Sequence, residues 1–312
     1  MPLMDETLKP FDRNLLRLHR ERAAAGLSGY DFLLQEVGER LLERLEDIRR
    51  EFPIALDLGC RNGLLGQRLQ GRGGVQWLAQ GDLSGAMVER ASAPRRPGVV
   101  LDEEFLPFGR SSFDLVLSLM NLHWVNDLPG CLMQIRHSLK PDGLFLAALL
   151  GGDTLQELRH SLMEAEMQIE GGLSPRLSPQ LDLADAAALL QRAGFALPVA
   201  DQETIVVDYP HALKLMDDLR GMGESNAVML QRRTLTRRAT LQRAAELYQE
   251  HYQRADGRIP ASFQVFFLTA WAPAASQPQP LRPGSAKARL AAALGSSEQK
   301  TGVKAQPGRD KK

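Results

Sequence analysis

Cysteine is almost missing from this chain. Cys60 and Cys131 are its only two, too few and too widely spaced for a disulfide framework or a zinc cluster, and this usage suits a reducing compartment. A net charge is missing too: 38 Lys and Arg stand against 38 Asp and Glu, so no global field steers the chain towards nucleic acid or anionic lipid. There is no long apolar run. The most apolar stretch, Leu144 to Leu150, falls far short of the roughly 20 residues that cross a bilayer and reads as a buried strand. The start, Met1 to Asp12, carries Asp5, Glu6 and Asp12. It lacks both the apolar core of a signal peptide and the acid-poor bias of a transit peptide. Together these absences predict a cytoplasmic protein with no nucleic-acid partner and no transmembrane segment.

What is present is an alternation of short apolar runs and helical patterns. Phe32, Leu33, Val37, Leu41, Leu42, Leu45 and Ile48 fall at helical spacing, an amphipathic helix leading into the core, so residues 1–52 are expected to form N-terminal helices. PIALDLG then reads as a strand, followed by the helical pattern Leu64, Leu65, Leu69. VQWLAQGD with SGAMVERAS, and FDLVLSLM with DLPGCLMQIRHSL, repeat the unit. Such alternation predicts right-handed crossovers and a parallel sheet. Lys140-Pro141-Asp142-Gly143 forms a turn before LFLAALL, a helix over LDLADAAALLQRAGF stops at Gly194, and the strands ETIVVDY and SFQVFFLTAW follow.

An α/β domain over 53–272 thus carries two stretches that the sheet does not need, 151–180 and 210–258. Insertions at strand ends tend to build substrate sites. Thr154 and Glu157 are spaced as a capping box for the helix of the first insertion. From Pro273 onward eight Lys or Arg face two acids among Pro, Gly, Ser and Ala. Too few large apolar groups remain there to order it, so 273–312 is expected to be a disordered basic tail.

Asp57-Leu58-Gly59-Cys60-Arg61-Asn62-Gly63 joins an apolar strand to a helix, the place where open α/β sheets bind ligands. A dinucleotide fingerprint ending on Gly63 and Gly66 needs glycine at Arg61 and would set Asp57 close to phosphate, which argues against NAD. A cofactor without phosphate that carries an ammonium and a sulfonium, S-adenosylmethionine, suits an acid beside a glycine-lined backbone. Asp82 closes the second strand, where a carboxylate accepts both ribose hydroxyl protons. Asp102 precedes Glu103-Glu104-Phe105-Leu106-Pro107-Phe108 and is placed to accept from an adenine amino group. Taken singly, an Asp at a strand end is more often a cap or turn former. Their spacing, one strand-helix unit apart, is what points to a site.

DLGCRNG, GD with its following Ser, DEEFLPF and FDLVLS resemble the successive motifs of class I methyltransferases over about residues 50–150. The resemblance implies a Rossmann-like α/β fold: a seven-stranded, mostly parallel sheet with the last strand antiparallel, carrying helical insertions. It also implies S-adenosylmethionine as cofactor, with Asp57, Gly59, Cys60 and Gly63 at the methionine end, Asp82 at the ribose, and Asp102 and Glu103 at the adenine. Arg61 departs from the pattern, which usually has glycine there, and either crowds the methionine carboxylate or pairs with it. Further segments, LHWVNDLP, LKPDG, GGDTLQELR, DDLRGMGESNA and the run from IPASFQ, are similar to the mitochondrial complex I assembly factors described as arginine hydroxylases of an iron–sulfur subunit. That likeness covers about 9–273. A more distant one is to the malonyl carrier-protein methyltransferases of biotin synthesis. The closer likeness implies a modifying enzyme, or a cofactor-stabilised chaperone, with an iron–sulfur subunit of NADH dehydrogenase as partner. Its expected home is the bacterial cytoplasm, beside the inner membrane.

Asn121, His123, Trp124 and Asn126 follow the fourth strand, where the family places substrate-facing groups. His123 is suited to take a proton or orient a guanidinium; the alternative is that His123 and Trp124 pack a helix onto the sheet. In Leu219 to Asn226, Glu224 or Asn226 is suited to grip an arginine, or the segment is a helix stop at Gly221 with a new cap at Ser225. Asn121, His123 and Glu224 are therefore the catalytic candidates. No metal site is expected, since in His19-Arg20-Glu21, the nearest match to an iron set, helical residues two apart diverge. Arg232, Arg233, Arg237 and Arg238 read as a solvated helix face.

Overall fold

The computed structural model describes residues 9–278, apart from 180 and 233, together with 292 and 294–297. Seven strands form one sheet: β1 (Ile54–Leu58), β2 (Trp77–Asp82), β3 (Gly98–Val100), β4 (Phe113–Leu119), β5 (Leu139–Leu150), β6 (Ala196–Tyr209) and β7 (Ile259–Trp271). Their order is β3-β2-β1-β4-β5-β7-β6. β1 to β5 run parallel, and β7 lies antiparallel between β5 and β6. The sheet is the expected one, with the last strand reversed.

Around it lie α1 (Arg13–Ala23), α2 (Phe32–Glu46), α3 (Leu64–Arg68), α4 (Gly85–Ala91), α5 (Leu128–Ser138), α6 (Gln156–Glu170), α7 (Leu183–Arg192), α8 (Ala212–Gly221) and α9 (Arg238–Tyr252). Successive strand residues point to opposite faces, so each central strand feeds two cores. On β5, Leu144, Leu146 and Ala148 pack with Leu41 and Leu42 of α2, while Phe145, Ala147 and Leu149 pack with Leu132 of α5 and Leu190 of α7. Cover on both faces explains why these strands read as unbroken apolar runs. The insertions supply α6 in the first and α8 and α9 in the second, with α6 lying along α9.

One strand was not foreseen and three local expectations change. β3 has only three residues, too short to leave a periodic signal. Lys140 to Gly143 lie within β5, with Asp142 at φ 64°, instead of forming a separate turn. Thr154 and Glu157 do not cap α6. Thr154 Oγ1 donates to the Gln264 carbonyl (3.0 Å), and the Glu157 carboxylate accepts from Ser262 N–H and Oγ (3.2 and 2.5 Å). Donors and acceptors on β7 have taken the groups that local spacing assigned to a cap. Phe32 opens α2 and is 39% exposed, beyond the buried stripe from Leu33 to Leu45.

Residues from Ala275 onward form a separate unit, in which the described residues show a turn closed from Gly295 N–H to the Ala292 carbonyl. Most of the expected tail, and Arg233, lie outside the described residues. Among the described residues no helix is long and apolar enough to cross a membrane. Leu41 is fully buried between α2 and the sheet, so Leu41→Ala should lower the unfolding free energy in urea by about 2–5 kcal/mol. Phe32→Ala, at the exposed end of the same helix, should lower it by less than about 1 kcal/mol.

Candidate functional site

The carboxyl ends of β1, β2 and β4 open on one edge of the sheet, and the loop from Gly59 to Gly63 crosses it. Gly59 (φ 79°) and Gly63 (φ 76°) adopt left-handed conformations that favour glycine. A Cβ on Gly63 would lie 2.8 Å from Ala91 Cα, and one on Gly59 would lie 2.1 Å from Asn121 Cγ. The loop is thus pressed against α4 on one side and Asn121 on the other. Asp57, at the end of β1, is buried, and its carboxyl and the Gln80 amide face one another without reaching full hydrogen-bond geometry with each other or with any other group. Burial pushes the Asp57 carboxyl up to about 7, with the Gln80 amide opposing and the Asp82 charge adding. Cys60 is also buried, and desolvation raises its thiol well above the ordinary range.

The remaining acids meet three guanidiniums. Asp82 Oδ1 accepts from Ser84 N–H (2.9 Å) and Arg20 Nη1 (3.3 Å), and Oδ2 accepts from Arg61 N–H (3.1 Å). Arg20 is wholly buried, donates through Nη2 to Asn121 Oδ1 (2.5 Å) and stands 3.6 Å from Glu103 Oε1. Asn121 Nδ2 in turn donates to Glu103 (2.9 Å). Arg13 pairs with Asp102 (2.8 Å) and with Glu103. Burial opposes ionisation of Glu103, yet Arg13 and Arg20 hold its carboxyl below the ordinary range. Both arginines come from α1, where Leu16, Arg20 and Ala23 share the buried face.

Arg61 reaches the other way. Its guanidinium donates to the carbonyls of Met222 (3.2 Å) and Met120 (3.0 Å) and pairs with Glu224. Glu224 also accepts from Trp124 Nε1 (2.7 Å) and faces His123 Nε2 (3.4 Å). Burial works against its charge, but Arg61 and His123 hold the carboxyl well below the usual range. His123 is itself buried, and desolvation lowers its basicity while Glu224 opposes that shift. Glu224 forms part of the wall of a cleft of about 250 Å³ between the insertions, with Leu158, Leu162, Leu177, Leu219 and Leu241. It also borders a smaller space of about 40 Å³ that reaches His123 and Met120.

The residues singled out from the sequence therefore fall into two groups. Asp57, Gly59, Cys60, Gly63, Asp82, Asp102, Glu103 and Asn121 gather at the strand-end slot, Glu224 lines the cleft and shares the smaller space with His123 and Trp124, and Arg61 bridges the two groups. Asn126 bonds to Phe11 N–H (2.8 Å) and Asn226 to the Pro175 carbonyl (2.9 Å). Glu21 accepts from the Gly85 and Ala86 N–H groups, whereas His19 lies beside Ser225, so these two residues point apart. No cluster of three His, Cys, Asp or Glu suited to a metal ion occurs among the described residues. Arg13, Arg20 and Gln80 were not foreseen. The one signal was an arginine on the apolar stripe of α1, four residues after Leu16. Chemically the slot suits an adenosyl cofactor, with an unpartnered buried carboxylate at Asp57 and acceptor acids at Asp82 and Asp102; Arg20 and Asn121 lie between them.

The charges fix a pH dependence. Asp57 lies above its ordinary value, so between 3.8 and about 7 the native state keeps a proton that the unfolded chain has released, and stability falls as pH rises through that window. Glu103 and Glu224, held low, contribute stability that is complete above the ordinary carboxylate range and lost as pH falls. Asp57→Asn should thus raise the urea unfolding free energy more at pH 8 than at pH 5, by on the order of 2–3 kcal/mol. Equal shifts at the two pH values would show that Asp57 does not titrate there.

Comparison with known proteins agrees with this architecture. A methyltransferase-domain profile matches residues 56–147. Human arginine-hydroxylase NDUFAF5, a mitochondrial protein, is 45% identical over 284 residues, covering 90% of this chain and 82% of the human one. A malonyl-[acyl-carrier protein] O-methyltransferase of a Methylovorus species is 33% identical over 275 residues, covering 85% and 90%. Among solved structures, phosphoethanolamine N-methyltransferase 2 of Haemonchus contortus, in complex with S-adenosyl-L-methionine, superposes with a TM-score of 0.52 at 18% identity, over 83% of this chain and 60% of that one. That last likeness concerns the fold. On a methyltransferase fold, the chain belongs to the family of the mitochondrial arginine-hydroxylase NDUFAF5.

Proposed function

We propose that this protein is an adenosyl-cofactor-binding enzyme that modifies an arginine side chain of a protein partner, an iron–sulfur subunit of NADH dehydrogenase. The observation that carries the reading is Glu224. A nearly buried carboxylate, braced by Trp124 Nε1 and bordering a cleft whose wall mixes leucines with polar groups, suits a planar cation, and its present occupant is the guanidinium of Arg61. An incoming arginine would lay its aliphatic stem along Leu158, Leu162 and Leu219 and set its head against the same carboxylate. The complex I connection rests on the likeness in LHWVNDLP, GGDTLQELR and DDLRGMGESNA.

The name of the 45% identical relative favours hydroxylation as the modification. The methyltransferase-domain match supports methyl transfer as a second reading. S-adenosylmethionine, when bound, supplies a methyl group on a sulfonium. Asp57, Asp82, Asp102 and Glu103 would hold it, Glu224 orients the acceptor, and His123 beside Glu224 is placed to take the proton that a guanidinium nitrogen must lose to become a nucleophile.

Mass spectrometry of the NADH dehydrogenase iron–sulfur subunit, from cells with and without the protein, separates the readings. One added oxygen on an arginine marks hydroxylation and one added methylene marks methyl transfer, whereas an unchanged subunit removes both. Glu224→Gln should lower the modified fraction roughly 10- to 100-fold, the worth of a hydrogen bond to a charged group.

A further inference from the structure

We propose that α1 is an internal occupant of the cofactor slot, a latch whose arginines must leave the strand-end acids before an adenosyl ligand takes them. The inference rests on the reading of those acids as an adenosyl site. A carboxylate offers about four acceptor positions, and Asp82 already uses three, for Ser84 N–H, Arg61 N–H and Arg20. A ribose brings two hydroxyl donors, so one present donor must go. Ser84 and Arg61 donate from the backbone of the turns that follow β2 and β1. Arg20 alone of the three donates from a side chain carried in from elsewhere in the chain, and its guanidinium stands between Asp82, Asn121 and Glu103.

The occupant is also incompletely satisfied. Arg20 Nε is buried without a hydrogen-bond partner, as is Arg13 Nε, and each such group weakens the hold of the helix on the slot. The attachments of α1 suit a release. On its carboxyl side it runs into Gly26 and the single turn Leu27–Gly29, and a Cβ on Gly26 or Gly29 would meet nothing within 4 Å. Glu21 clips the helix to the first turn of α4 through Gly85 N–H (2.9 Å) and Ala86 N–H (3.3 Å). Its amino side is tied to the second insertion, where Asp12 N–H donates to the Ala227 carbonyl (2.8 Å), and to the segment after β4, where Phe11 packs edge-on against Trp124 (5.3 Å). Trp124 is the residue that braces Glu224, so leaving the slot also loosens a wall of the cleft.

The test uses the full chain and S-adenosylhomocysteine as probe, with affinity read by calorimetry and the amides of residues 13–23 followed by hydrogen exchange. Saturating ligand should speed exchange in that segment. Arg20→Met, which keeps the aliphatic stem, should bind about tenfold more tightly than wild type, as expected if the closed latch holds roughly nine-tenths of the molecules. Glu21→Ala, which leaves the buried acids paired, should bind more tightly as well and guards against a folding defect in the first variant. Binding by wild type with slower exchange in 13–23, and weaker binding by both variants, would make α1 a lid over the ligand and overturn the latch. Unchanged exchange with equal affinities overturns it too. If none of the three proteins binds the probe, the adenosyl reading of the acids falls, and the latch with it.

Discussion

Buried arginine–carboxylate pairing is the constraint on which this molecule turns. Asp82 and Glu103 lie out of water and Glu224 nearly so, with Arg20 and Arg61 beside them, and Arg13, partly exposed, closes the row. Stripping water from one such ion costs several kcal/mol even after relaxation, and removing one partner of a buried pair typically costs about 3–5 kcal/mol. None of these groups can stay charged alone. Three distant pieces of chain are therefore held at one place: α1 through Arg13 and Arg20, the glycine loop through Arg61, and the second insertion through Glu224. The sheet provides the rigid edge, and the charges decide what is laid across it.

Seen this way, Arg61 changes its meaning. A side chain at a position that usually carries glycine looks like an obstacle at the methionine end of a cofactor. Its guanidinium instead runs past the end of β4 to the Met120 and Met222 carbonyls and to Glu224, so the slot and the cleft share one counter-ion. Neighbouring Asp57 has no such partner. Burial, with no cation beside it, raises its carboxyl to about 7.

The sheet and the strand-end acids were readable because both have local signatures. Buried parallel strands write themselves as apolar runs, and Asp57, Asp82 and Asp102 recur once per strand-helix unit. The contents of the slot had no such signature. Arg20 meets Asp82 across 62 residues of chain and Asn121 across 101, and Glu224 meets Arg61 across 163, separations over which no periodicity carries information. The single trace was Arg20 on the apolar stripe of α1. Thr154 and Glu157 teach the converse, since a spacing that fits a helix cap was taken over by Gln264 and Ser262 on β7, more than a hundred residues on.

The place of β7 reaches beyond the finished fold. It is the last of the described strands in sequence, yet it lies between β5 and β6, bonding to β6 along nearly its whole length and to β5 through Val265 to Trp271. While the chain is being made, β1 to β5 can pair in turn as they emerge. β6 has no neighbour until residues 259–271 have left the ribosome. Until then a 14-residue strand carries unpaired backbone groups on both sides, the sort of edge that invites pairing with another chain. α6 is likewise without its staples, because Ser262 and Gln264 arrive with β7. The wall of the cleft formed by α6 is therefore fixed only after β7 has been made, well after Asp57, Asp82 and Asp102 have taken their places at the strand ends.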